Sequence, residues 1–230
     1  MIGNCKVLAV TLARGGSERI LRKNIHPICG VPLIEYTIRE ARKSKYIDLY
    51  CVSTEDREIR ELCVDVGVAV VDRPVYLAGS NVTSSESLIH AVESVGGDYV
   101  YVVELMATNP LKTASDIDGV LDVLHNGEFD SVVSVVRVVD YHPSRLKYIE
   151  DGVMKDFWPE KLESRRQDLL PHAYVRNGSI YAMKKSFLLS ERVRYNKETR
   201  PFEMDCERSV NIDEPMDLIV AEVMVSGRGL

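Results

Sequence analysis

The segment Lys6-Val7-Leu8-Ala9-Val10-Thr11-Leu12 runs directly into Ala13-Arg14-Gly15-Gly16-Ser17-Glu18-Arg19-Ile20-Leu21-Arg22-Lys23-Asn24. Its first half is a short, near-continuous apolar run, the pattern of a strand buried on both faces of a parallel sheet. Its second half breaks that run with paired glycines and a cluster of cations. Ligands of open parallel sheets bind at the carboxyl ends of the strands, so this junction predicts a fold and a site together.

The pattern recurs on moving outward. Apolar, β-branched runs predict further strands at Leu49–Ser53, Val68–Asp72, Tyr99–Leu105 and Ser131–Val138. Helical periodicity predicts Pro32–Lys45, with Ile34, Ile38 and Ala41 on one stripe, then Glu55–Val66 behind a Thr54 cap, Ser84–Val95 and Asp116–His125. Thr83-Ser84-Ser85-Glu86 matches a capping box, and Ser115 precedes the stripe Ile117, Val120, Leu121 and Leu124. Strand and helix in alternation predict an α/β fold with a mostly parallel sheet covered on both faces.

After Val138 the rhythm stops. Asp140–Pro171 contains three prolines, a glycine and many charges, and reads as an insertion. Asn177-Gly178 predicts a turn, followed by a strand at Ser179–Lys184, another near Arg208–Ile212, and a last helix from about Glu214 to Val225 with Pro215 in its first turn. The expected organisation is one domain over residues 1–230 with an insertion at about 140–175. Tyr141, Tyr148, Phe157 and Trp158 in that insertion suit either a subunit interface or a satellite core beneath a long loop.

Composition narrows the partners. The 230 residues carry a net charge of −6, with 45% hydrophobic and 28% charged residues, and no long basic run, which argues against a nucleic-acid backbone as the main ligand. No stretch approaches the roughly 18 apolar residues of a membrane span, and the first ten residues lack a signal-peptide pattern, so a cytoplasmic protein without a membrane partner is expected. The five cysteines, Cys5, Cys29, Cys51, Cys63 and Cys206, show no CxxC spacing and read as reduced thiols; the five dispersed histidines argue against zinc.

Against that acidic background, residues 14–23 carry a net +3. Glycine-rich turns present backbone N–H groups to anionic oxygens, Arg offers a planar fork for phosphate, and Lys a mobile point charge. Neither GxxxxGK(S/T) nor GxGxxG is present, so the loop is not that of a standard ATPase or dinucleotide-binding dehydrogenase. A solvated basic turn balanced by surface carboxylates is the competing reading.

The segment Ala13-Arg14-Gly15-Gly16-Ser17, ending in Lys23-Asn24 and followed by Gly30-Val31-Pro32-Leu33-Ile34, resembles the signature of the acylneuraminate cytidylyltransferases, the CMP-sialic acid synthetase family. Val52–Asp56, Arg73-Pro74, Ala107-Thr108-Asn109-Pro110-Leu111-Lys112, Asp130–Val135, Arg165–Asp168, Asn177–Tyr181 and Asn211-Ile212-Asp213-Glu214-Pro215 follow in family order, so the likeness spans about residues 5–220. It implies a Rossmann-like, three-layer nucleotidyltransferase fold with a small dimerisation insertion, a homodimer, and transfer of CMP from CTP to the anomeric hydroxyl of a sugar acid with release of pyrophosphate.

The resemblance also implies roles. Arg14 and Lys23 would hold the triphosphate, Ala13, Gly15 and Gly16 would belong to the same nucleotide-binding loop, and Asn24, Arg73, Ser84 and Ser85 would surround cytidine, although a salt bridge suits Arg73 as well. Asp213 with Asn211 would hold Mg²⁺, Asp213 sharing the catalytic work with Arg14 and Lys23; an N-cap of the last helix is the other role open to Asp213. Met106, Thr108, Asn109, Arg145, Arg166 and Gln167 would face the sugar, Arg145 or Arg166 across a dimer interface. Two positions depart from the family: Met106 stands where Gln is common, and Asn211 where an aspartate is. They motivate two alternatives, a nucleotidyltransferase for another sugar or sugar phosphate, and a nucleotide-binding homologue with impaired catalysis.

Overall fold

A computed structural model describes residues 1–159, 165 and 168–228. In chain order the elements are β1 (Val7–Leu12), the short β2 (Pro27–Ile28) and β3 (Val31–Pro32), α1 (Leu33–Lys43), β4 (Leu49–Thr54), α2 (Arg57–Asp65), β5 (Ala69–Asp72), α3 (Ser84–Val95), β6 (Tyr101–Leu105), α4 (Ala114–Asn126) and β7 (Ser131–Val138). The hairpin β8 (Lys147–Glu150) and β9 (Val153–Asp156) precedes β10 (Ala173–Lys184), α5 (Lys185–Glu191), β11 (Arg200–Glu203) and α6 (Pro215–Gly227).

Seven strands form one sheet in the order β11-β7-β10-β6-β1-β4-β5. Every pairing is parallel except those of β10, which lies antiparallel between β6 and β7. Alternation along the central strand divides the core. Val7 and Ala9 face Ile117, Val120, Leu121 and Leu124 of α4, while Leu8 and Val10 face Leu88, Ile89 and Val92 of α3 and Phe187 and Leu188 of α5. The result is the three-layer α/β arrangement, with the loops after β1, β4, β5 and β6 gathered on one edge.

Local chemistry corrects several expectations. The cap of α2 is Asp56, whose side chain accepts from Ile59 N, rather than Thr54. Thr113 and Asp116 form the capping box of α4, with the cap two residues earlier than Ser115. Glu214, boxed by Asp217, caps α6, so Asp213 is released from that role. No strand forms at Arg208–Ile212; Cys206–Arg208 is a 3-10 turn, and Arg208 is drawn inward by Asp116 at 3.0 Å. The edge strand is instead β11, whose Pro201 reads as a breaker but is compatible with a sheet edge.

The Asn177-Gly178 turn is also replaced. β10 begins at Ala173, inside the expected insertion, and its register shifts between Arg176 and Tyr181, so Asn177-Gly178 forms an irregularity within one strand. Asn177 is buried there, accepting from Ser134 Oγ at 2.7 Å and donating to Ser209 Oγ at 2.9 Å. Gly178 has φ +60°, and a Cβ on it would come within 3.0 Å of Asn211 Oδ1. α5 has no signal in the sequence, because its seven residues carry only the two buried anchors Phe187 and Leu188, too few to show helical periodicity.

Candidate active site

A cleft of about 700 Å³ opens on the carboxyl edge of the sheet. It is closed by the β1 loop, the start of α3, the beginning of β10 and the segment before α6. Of the residues predicted from sequence, Arg14, Lys23, Asn24, Arg73, Ser84, Met106, Thr108, Asn211 and Asp213 line it. Asn211 and Asp213 reach it because Ile212 N donates to Thr108 O at 2.8 Å, docking the C-terminal segment onto the turn after β6.

The β1 loop is fixed from below. Ala13 is buried and its N–H donates to Ser53 O at 3.0 Å. Gly15 N donates to Glu55 Oε1 at 2.7 Å, and a Cβ there would meet the Asp56 carboxyl carbon at 2.8 Å, so the absence of a side chain lets the backbone pack this closely onto the turn between β4 and α2. Asp56 is held in turn by both terminal nitrogens of Arg22, at 2.6 and 2.9 Å. Burial pushes the Asp56 carboxyl up, but Arg22 and the N-terminal amides of α2 outweigh it and hold its pKa below the ordinary value. Asn24 Nδ2 donates to Arg14 O at 2.9 Å, tying the two ends of the loop together.

The loop's +3 is largely compensated by carboxylates remote in sequence. Arg19 pairs with Glu214 at 2.7 Å, Arg22 with Asp56 and with Glu58 at 2.7 Å, and Lys23 with Asp213 at 3.0 Å. Among the described residues, Arg14 alone of the four cations has no ion-pair partner. Arg73 makes the salt bridge, pairing with Glu55 at 2.8 Å; it is almost fully buried and also lines the cleft. Its Nε has no hydrogen-bond partner among the described residues and stays available as a donor.

Several expected contributors lie elsewhere. Ser85 turns into the α3 cap, 3.0 Å from Thr83 Oγ1, and Ser87, two residues on, lines the cleft in its stead. Asn109 is fully buried, accepting from Leu111 N at 3.3 Å, which makes it part of the turn's interior. Gly15 and Gly16 shape the loop without lining the cleft, and nothing lies within 4 Å of a Cβ built on Gly16. Arg145 ends a 3-10 turn outside the cleft lining. Arg166 and Gln167 lie outside the described residues.

Asp213 and Asn211 fit magnesium only as part of a shared site. Asp213 offers a half-exposed carboxylate, one oxygen facing Lys23 and the other accepting from Asn211 Nδ2 at 2.5 Å. No group of three His, Cys, Asp or Glu side chains suited to a metal occurs among the described residues. Mg²⁺ characteristically takes one or two carboxylates and completes its shell with phosphates and water. This donor set matches that habit.

Glu104 in the cleft, with its partner Arg194, and Lys112 outside the cleft lining have no role in the sequence reading. Glu104 is fully buried in β6 and bonded to Arg194 Nη1 at 2.6 Å; burial pushes its carboxyl up, and the attraction of Arg194 offsets that only in part. Arg194 lies over the Tyr181 ring at 4.3 Å, and Arg176 over the Tyr195 ring at 4.4 Å. A lone carboxylate inside the apolar run Tyr101–Leu105 was the available signal, because buried charges require partners. Lys112, also fully buried, donates to Thr37 Oγ1, Met106 O and Asn109 O at 2.7, 2.8 and 2.5 Å, bracing the turn, and desolvation pulls its pKa down to about 7.

A sequence model of the family described as Cytidylyltransferase matches residues 8–217. The chain belongs to the cytidylyltransferase family. Among the cytidylyltransferase's relatives, post-translational flagellin modification protein B of Campylobacter coli is 25% identical, the match covering 98% of this chain and 97% of that protein. N-acylneuraminate cytidylyltransferase of Streptococcus agalactiae is 30% identical over 93% of this chain and 52% of its own, and N-acylneuraminate cytidylyltransferase A of Danio rerio is 32% identical over 95% and 50%. The chain thus spans about half the length of these two enzymes.

Solved structures agree on the architecture of this cytidylyltransferase. A CMP:2-keto-3-deoxy-manno-octonic acid synthetase complexed with CTP superposes with a TM-score of 0.73 at 16% identity, over 97% of this chain and 99% of that one. A 4-diphosphocytidyl-2C-methyl-D-erythritol synthase from Anaerococcus prevotii gives 0.66 at 13% identity, over 96% and 99%. At those identities the likeness concerns the fold.

Proposed function

We propose that this cytidylyltransferase transfers CMP from CTP to the anomeric hydroxyl of a sialic-acid-like nonulosonic acid, releasing pyrophosphate. The observation that carries the proposal is the convergence of Arg14, Lys23 and Asp213 in one cleft, from opposite ends of a chain whose relatives include enzymes named for N-acylneuraminate cytidylyl transfer. In this reading the nucleophile belongs to the substrate. The anomeric oxygen bonds to the α-phosphorus, the bond from that phosphorus to the bridging oxygen breaks, pyrophosphate departs, and the hydroxyl proton passes to solvent water.

The protein's task is alignment and charge stabilisation. Arg14, which has no ion-pair partner among the described residues, takes the triphosphate directly. Lys23 exchanges Asp213 for phosphate oxygens, which leaves the Asp213 carboxylate open to Mg²⁺ together with the Asn211 amide oxygen. Bound there, the metal would neutralise phosphate charge. Arg73 Nε, Asn24 and Ser84 offer polar contacts to the nucleoside.

The β8–β9 arm supports a homodimer in the same proposal. Ile149, Met154, Phe157 and Trp158 are all more than 60% exposed, a concentration of apolar surface expected of a subunit interface. A monomer mass in sedimentation equilibrium at micromolar concentration would contradict it. Among the described residues no helix is long and apolar enough to cross a membrane; a cytoplasmic setting is part of the proposal.

The activity is tested by incubation with CTP, Mg²⁺ and a panel of nonulosonic acids while pyrophosphate is followed. Release with at least one acid is expected. No release with any member, alongside a working control enzyme, would sink the proposal.

A further inference from the structure

The cleft extends beyond the groups assigned to the nucleotide. In the sheet, β1 has β4 and β5 on one side and β6 and β10 on the other. Arg73, which follows β5, places the nucleoside contacts toward the first side. The second side is built from Glu104 on β6 and Tyr181, its register partner on β10. Both line the cleft.

Glu104 has two unlike oxygens. Oε2 accepts from Arg194 at 2.6 Å, whereas Oε1 is buried with no hydrogen-bond partner among the described residues. A buried carboxylate oxygen without a donor carries a desolvation cost that a bound donor relieves. Arg194 compensates the negative charge of Glu104 and is itself held over the Tyr181 ring at 4.3 Å. The free oxygen therefore suits a neutral donor better than a cation. It also repels an anion, so the substrate's own carboxylate belongs elsewhere in the cleft.

We infer that Glu104 Oε1 is a specificity-determining acceptor for one neutral donor, an amide N–H or a hydroxyl, on the end of the sugar acid remote from its carboxylate. The inference rests on the proposed activity. It makes Glu104 a reader of the sugar, with Arg194 as its positioning residue.

The test begins with the wild-type protein and a set of nonulosonic acids from which one N–H or O–H donor at a time is removed. One removal is expected to lower kcat/KM about 10- to 100-fold, the span for a hydrogen bond to a charged group. Glu104→Gln keeps an amide oxygen for Arg194 and turns an NH₂ donor toward the cleft. That variant is expected to raise the sugar KM by a similar factor, to leave the CTP KM within about twofold, and to show no further loss with the sensitive analogue, the double-mutant-cycle signature of direct contact. A merely structural Glu104 would lower performance on all analogues equally, which overturns the inference. A rise in the CTP KM with the sugar KM unchanged assigns Glu104 to the base and also overturns it.

Should Glu104→Gln fail to fold, the wild-type series still decides: no single removal costing more than about threefold overturns the inference. Absence of pyrophosphate with every acid, seen before any variant is made, removes the proposed activity and this inference with it. Turnover without donor dependence removes the inference alone.

Discussion

Lys23→Ala separates a ligand-binding lysine from a structural one, and the geometry sets the two magnitudes. In folding, Lys23 contributes a hydrogen bond to Ile212 O at 2.9 Å and an ion pair to Asp213 at 3.0 Å. The Asp213 side chain is 52% exposed, so solvent screening holds the ion pair to about 0–1 kcal/mol, and the partly buried hydrogen bond adds about 1 kcal/mol. A total near 1–2 kcal/mol corresponds to a Tm decrease of about 2–8 °C for a chain of this size. In catalysis, Lys23 is proposed to stabilise charge on the departing pyrophosphate, and loss of one such group costs about 10²–10³ in kcat. The assay pairs steady-state pyrophosphate release with a thermal melt in the absence of nucleotide. A kcat within about threefold of wild type, or a Tm loss well above 10 °C, would refute the assignment.

Asn211→Asp restores a second carboxylate two residues from Asp213, and should lower the magnesium concentration giving half-maximal turnover; an unchanged or raised requirement contradicts the shared metal site. Lys112 predicts a pH dependence of stability. Its folded pKa, near 7, lies below the ordinary lysine value of 10.5, so between those limits the unfolded chain binds more protons and stability rises with pH, by up to about 1.4 kcal/mol per unit. Below about pH 7 both states are protonated and the penalty is fully present. Lys112→Met should remove this rise in urea unfolding at about pH 7, 8 and 9, and equal slopes for the two proteins would contradict the buried-amine account.

What was legible in the sequence follows from range. β1, β4, β6 and β7 announce themselves because strands buried on both faces are apolar throughout, and the α3 cap is legible because Thr83 and Glu86 are three residues apart. The first half of β10 is not legible, because Ala173–Arg176 is largely exposed and pairs only with the end of β7. Charge was harder still. The +3 of the β1 loop is a correct count, but its compensation depends on partners such as Asp213, 190 residues from Lys23, which only the fold brings near. The same holds for Glu104 and Arg194, 90 residues apart. Met106, conspicuous in sequence as a departure, lies in the cleft wall two residues beyond Glu104, so the apolar substitution and the buried acceptor occupy one region of the site.

The central claim, that the substrate's own anomeric oxygen attacks the α-phosphorus of CTP, is tested most directly by isotope transfer. A nonulosonic acid labelled with ¹⁸O in its anomeric hydroxyl, turned over with CTP, should yield a CMP-sugar retaining the label in the bridge between sugar and phosphorus, with unlabelled pyrophosphate, by mass spectrometry. Label found in pyrophosphate, or a product in which the bridging oxygen is unlabelled, would contradict the account.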